Sequence, residues 1–212
     1  MSLVNYHASY GFDSLQKESF WYDDFEGDSL KDYWRISIVG AGSIAVADGI
    51  TGAAVRLTTS ATSGQSLLFD WQDYRSLLVS KNVAFEVRAK CHSSEVMHFT
   101  VRLRALDSDD ELWMQHYTPS SQNLFYAADG GGTNEQEDTS IQADTEWHNY
   151  RIQCHTHGSN HAHYYYDDTQ LTNSPITTNI TSEYLQPWIY CNTFENVAKT
   201  FDFDYVAWRQ DR

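Results

Sequence analysis

Apolar and polar residues alternate with period two along most of the chain, and no stretch carries a helical stripe. Residues 34–39, 43–47, 53–59, 66–71, 83–91 and 96–106 read as strands, as do 111–117, 124–128, 147–154, 162–166, 184–191 and 199–208. Turn signals separate them, including Asp48-Gly49, Ser63-Gly64, residues 107–110 and Asp129-Gly130-Gly131-Gly132. Many short strands with regular turns must bury their apolar sides in a sandwich or barrel, so the fold class is all-β. A length of 212 residues suits one such domain. Residues 1–20 are more polar and less periodic, and are expected to form an arm outside a domain spanning 21–212.

Lys and Arg number 14 against 29 Asp and Glu, a net charge of −15, which argues against nucleic acid as a partner. The cysteines Cys91, Cys154 and Cys191 each fall in an apolar alternating run without metal-type spacing. They read as buried free thiols of a chain folded in a reducing compartment. No basic and apolar leader pattern opens the sequence, and no apolar run reaches membrane-spanning length, so neither export nor a membrane is expected.

Three segments, in order, carry a family resemblance: DDFEGDSLKDYW, then DTEWHNYRIQC with HYYYDDTQL, and FDFDYVAWRQ at the end. Together they resemble the concanavalin A-like (LamG-like) jelly-roll β-sandwich, including versions found in bacteriophage structural and decoration proteins. The resemblance implies two antiparallel sheets with the first and last strands adjacent. It also implies a structural Ca²⁺ held by Asp204, with Glu26 and the carbonyl of Gly52 as further ligands; oxygen ligands suit that ion. Along FDFDYVAW, strict alternation puts Phe201, Phe203, Tyr205 and Ala207 on one face and Asp202, Asp204, Val206 and Trp208 on the other. The alternative for Asp204 is a bond to backbone amides or an arginine.

The stretch RIQCHTHGSNHAHYYYDD reads as a hairpin. Tyr150, Ile152 and Cys154 make one apolar face, and Ala162, Tyr164 and Tyr166 match it on the return strand. If Cys154 faces Ala162, then His155 faces His161 and Gln153 faces His163, clustering three imidazoles on the solvent side. His155, His161 and His163 are therefore a transition-metal candidate, set against an ordinary solvated hairpin, because no cysteine or carboxylate completes a zinc pattern. A slip of one residue would break the cluster.

Retaining glycosidases place two carboxylates ~5 Å apart, and sandwich members usually put both on one strand, as in E-x-D-x-x-E. No such run occurs. Arg88, Lys90, Arg102 and Arg104 all alternate outward, with Trp113, Gln115 and Tyr117 on the next strand, and so suggest a basic patch that binds an acidic glycan. The alternative is cross-strand ion pairing, for example Glu86 with Arg102. Arg, Gln, His and Tyr together also resemble polysaccharide lyases of this sandwich, although their R-x-E-L-R and Q-I-H signatures are missing and only WMQHY echoes them.

The expected function is therefore that of a non-enzymatic virion surface module with a lectin-like sandwich. Its arm would contact sister subunits or a capsid protein, in a homo-oligomer folded in the host cytoplasm. The alternatives are a glycan-active, lyase-like enzyme and a secreted carbohydrate-binding module.

Overall fold

The computed structural model describes residues 18–27, 30–49, 52–71, 77–105, 107–156 and 159–212. Its strands are, in chain order, β1 (Glu18–Asp23), β2 (Arg35–Ile38), β3 (Ser43–Asp48), β4 (Ala53–Thr58) and β5 (Ser66–Asp70). Then follow β6 (Leu77–Leu78), β7 (Ala84–Cys91), β8 (Met97–Ala105), β9 (Glu111–Tyr117), β10 (Asn123–Gly130) and β11 (Thr133–Gln142). The last five are β12 (Trp147–His155), β13 (His161–Tyr166), β14 (Thr169–Gln170), β15 (Tyr184–Thr193) and β16 (Thr200–Asp211). One sheet runs β14-β13-β12-β7-β16-β4-β3, with β1 also on β16; the other runs β11-β10-β9-β8-β15-β5-β2, with β6 also on β15. All pairs are antiparallel, which makes a jelly-roll sandwich of two eight-stranded sheets.

Phe69, Phe85, Phe99, Phe201 and Phe203 are fully buried between the layers. Trp34 stacks on Phe69 with centroids 4.0 Å apart, and Trp71 meets Trp21 and Trp208 edge-on. Burial on this scale removes any need for disulfides, and Cys91, Cys154 and Cys191 are free and buried. Glu18, Ser19 and Phe20 pair with β16, so the sheet begins inside the stretch expected to be an arm. Residues 1–17 lie outside the described residues.

Side-chain direction differs from expectation at two places. First, β16 carries a bulge between Phe203 and Tyr205. Phe201, Phe203, Val206 and Trp208 all join the main core, while Tyr205 and Ala207 face outward and pack with Phe20 and Tyr22. One extra residue reverses the alternation. Second, β7 and β8 are successive but belong to opposite sheets. Arg88 and Lys90 therefore lie on the other side of the molecule from Arg102 and Arg104, and the four-cation patch does not form. The pairing of Glu86 with Arg102 fails for the same reason: Glu86 meets Arg151 and Tyr205.

Near the start of β12, His148 bridges two carboxylates, with Nδ1 2.7 Å from Asp167 and Nε2 2.8 Å from Asp144. Burial opposes charge on this ring, but the bonds to Asp167 and Asp144 outweigh it and raise the pKa. Burial also pushes the two carboxyls up. Bonds from the Glu146 N–H and His148 to Asp144, and from His148 and the Asn149 N–H to Asp167, pull both below the usual carboxylate range. The raised His148 pKa gives stability that is complete below the unfolded-state value and lost as pH rises through the folded one. The lowered carboxyls give stability that is lost as pH falls through their folded values. A His148→Gln variant should therefore lower the melting temperature more at pH 5.5 than at pH 9; an equal loss at both would contradict this.

Candidate functional site

The outward side chains of the second sheet form rows across its strands. One row runs Arg35, Asp70, Trp188, Arg102 and Trp113, each opposite the next in register. Asp70 is fully buried, 2.9 Å from Arg35 Nε, and accepts the Trp188 indole N–H at 3.1 Å. The next row toward the strand ends runs Gln186, Arg104, Glu111 and Asp129. On the other side lies Tyr190, Thr100, Gln115 and Phe125, followed by His98 opposite Tyr117.

Of the expected glycan-binding residues, Arg102, Arg104, Trp113, Gln115 and Tyr117 share this face and Arg88 does not. Trp113 is only 5% exposed, so it is a packed support and not the open sugar platform it was expected to be. Trp188 and Tyr190 occupy the neighbouring strand, with the Arg104 guanidinium 4.2 Å over Trp188 and that of Arg102 5.7 Å from Tyr190. Their alternation in YLQPWIYCN was visible in the sequence. His116 of WMQHY faces the core, 2% exposed, so the lyase echo in that strand does not place His beside Gln115.

Glu111 and Asp129 are directly opposite on β9 and β10. Opposed residues have Cβ atoms about 4.5–5.5 Å apart. The turn that joins β9 to β10 sets this register, with the Ser120 and Ser121 N–H groups both donating to the Tyr117 carbonyl. After β10, Gly131 and Gly132 have φ of 64° and 75°, the left-handed pair that a two-residue hairpin turn demands, and they set Gly130 opposite Thr133. Asp110 accepts the Gly131 N–H at 3.0 Å and ties this turn to the one before β9. Gly130 itself has no room for a side chain, since a Cβ would strike the Asn179 carbonyl.

The two carboxyls differ in their surroundings. Arg102 donates to Glu111 at 2.7 Å, within a pair whose side chains are 15% and 18% exposed. For Asp129, burial first, and then the charges of Glu111, Asp110 and Asp109, raise the pKa. An open hollow lined by Arg104, Asp107, Ser108 and Asp109 adjoins the pair. On the same face, Arg102 Nε, Gln186 Oε1 and Asn192 Oδ1 are buried without a hydrogen-bond partner among the described residues. Such groups are costly to leave unsatisfied, and here three share one surface.

The calcium expectation meets a different corner. Asp204 is fully buried, and its Oδ1 lies against Gly49, while Glu26 lies against Gly52 in the same turn. Arg88 Nε stands 3.9 Å from Asp204, and the Gly52 carbonyl already accepts the Gly49 N–H. Among the described residues, no three His, Cys, Asp or Glu side chains are grouped to hold an ion. Asp204, Glu26 and the Gly52 carbonyl thus gather at one corner with the Arg88 guanidinium beside Asp204, and since Ca²⁺ takes six or more oxygens, further carbonyls or water would have to complete its shell there. The hairpin register does match expectation, with Cys154 opposite Ala162, His155 opposite His161 and Gln153 opposite His163.

No family model matches the chain, and no curated protein matches it. Solved structures do. A Bacteroides ovatus mixed-linkage glucan GH16 protein, solved with a product, has a TM-score of 0.67 and 12% identity over 88% of this chain and 98% of its own. A Bacillus licheniformis β-glucanase has a TM-score of 0.65 and 12% identity over 89% and 97%. The Crh5 transglycosylase has 0.64 and 15% over 92% and 84%. At these identities the likeness establishes the sandwich fold. These matches run against the expectation of a non-enzymatic virion surface module: the three structures named here are a GH16 protein solved with a glucan product, a β-glucanase and a transglycosylase.

Proposed function

We propose that the chain is a glycan-active enzyme that cleaves or transfers glycosidic bonds on the outward face of the second sheet, with Glu111 and Asp129 as its paired carboxyls. The observation that carries this reading is their cross-strand register, in which one partner is held by Arg102 and the other has a raised pKa. Two carboxyls with environments that differ in this way divide the work of glycoside cleavage. Protonated Asp129 gives its proton to the glycosidic oxygen as the C–O bond breaks, and Glu111 attacks the anomeric carbon. Asp129 then takes a proton from water, or from a sugar hydroxyl, which displaces Glu111.

The face favours a neutral glycan over an acidic one. Arg102 and Arg104 are already paired with Glu111 and Asp109, and Asp110 adds further negative charge beside them. The β-glucans named in the matched structures are neutral and are the substrates to try first.

A second reading is a lyase, supported by His98 Nε2 lying 3.0 Å from Gln115 Oε1 with Tyr117 against its edge. The test is incubation with neutral and acidic polysaccharides, following both reducing ends and ultraviolet-absorbing unsaturated ends. Saturated reducing ends from a neutral glucan support the paired-carboxyl reading. Unsaturated ends support the lyase, and no new ends from any glycan would refute both. Trp188→Ala, which removes the wall under Arg104, should weaken binding of the cleaved glycan about tenfold, equivalent to about 1.4 kcal/mol. Unchanged binding would move the site off this face.

A further inference from the structure

The β12–β13 hairpin, on the opposite sheet from the carboxyl pair, presents three imidazoles that neither the core nor the proposed reaction uses. Ring centroids are 5.1 Å apart for His155 and His163, 5.1 Å for His161 and His163, and 5.6 Å for His155 and His161. Three histidines on a tetrahedral ion are held at a similar separation. With a metal–nitrogen distance of about 2.0–2.1 Å, each ring centroid sits about 3.2 Å from the ion, which puts centroids about 5.2 Å apart.

The geometry points to a divalent transition-metal site formed by His155, His161 and His163, with a fourth position open to water or another small ligand. Imidazole nitrogens without oxygen or thiolate partners suit Zn²⁺, Ni²⁺ or Cu²⁺ and not Ca²⁺ or Mg²⁺.

The backbone does most of the positioning. The register Cys154–Ala162 sets His155 and His161 opposite each other, and His163 follows two residues on, on the same face. His161 Nδ1 donates to the Ser159 carbonyl at 2.9 Å, which orients the ring and leaves Nε2 to ligate, as metal-bound histidines are commonly held. His163 Nδ1 is buried without a hydrogen-bond partner among the described residues. As placed, the three rings do not yet meet at one point. Binding therefore requires a ring to turn about its side-chain bonds, and His155, only half-buried, is the ring to do so. Arg209 repels an added cation here and Asp211 offsets it.

Titration of the full chain with ZnCl₂ by calorimetry tests the site, with His161→Gln, His163→Gln and His148→Gln beside the parent. The parent should bind one Zn²⁺ in a saturable isotherm. His161→Gln and His163→Gln should each weaken it by at least about tenfold, and His148→Gln, outside the hairpin cluster, should leave it unchanged. Far-UV circular dichroism checks that each variant is folded. No saturable binding by the parent, or binding that survives both hairpin variants, would overturn the assignment.

Discussion

Replacing Asp129 with Asn should slow cleavage of a neutral β-glucan by about 100- to 10,000-fold, the range lost when a positioned general acid is removed. The amide keeps the shape of the side chain and cannot donate the proton. The asymmetry of the site gives the experiment a second arm. A substrate with a good leaving group needs little protonation, so the Asp129→Asn variant should recover much of its bond-breaking step on an activated aryl glycoside. Glu111→Gln should not recover on that substrate, because it removes the attacking group. Equal losses on both substrates for Asp129→Asn would assign Asp129 another role. Normal activity would remove it from the reaction.

The second large effect concerns acid stability. His116 faces the core and His98 lies in the aromatic and polar packing beside Tyr117 and Tyr190, and burial lowers both pKa values to about 4. Both rings stay neutral in the folded chain, whereas the unfolded chain takes up protons below its ordinary value of about 6.5. Stability from these residues is therefore complete above pH 6.5 and falls as pH drops toward 4. For His116, 2% exposed, the loss is on the order of 3 kcal/mol. His148 acts in the opposite sense over part of this range, but its two carboxylate partners are half-exposed, which screens the gain. Denaturant midpoints measured from pH 8 to pH 4 should fall, and His116→Gln should flatten the profile whatever it does to stability at pH 8. A parallel displacement of the whole curve would contradict this cause.

The strands that alternate clearly were legible in the sequence because half of each faces the core. β11 was not, since TNEQEDTSIQ is a polar edge strand with little apolar surface to show a period. The histidine register could be read because Tyr150, Ile152 and Cys154 must face Ala162, Tyr164 and Tyr166; a slip would turn one set of three out of the core. The carboxyl pair could not. Alternation tells which side of its own strand Glu111 or Asp129 occupies, but not that β9 and β10 place them level. That depends on the turn that joins the two strands, residues 118–122, and a search for two carboxylates on one strand passes over it. Alternation was equally silent on which sheet a strand joins. For that reason Arg88 and Arg102 looked like neighbours although they lie on opposite layers.

The most direct test of the paired-carboxyl assignment is the configuration of the first sugar released from a β-glucan oligosaccharide, followed by proton NMR before the anomers equilibrate. Carboxyls from directly opposed residues are close enough for a covalent intermediate and leave no room for a water between them. The expected first product is therefore the β-anomer, formed with retention. An α-anomer, an unsaturated product, or an oligosaccharide left intact would contradict the roles given to Glu111 and Asp129.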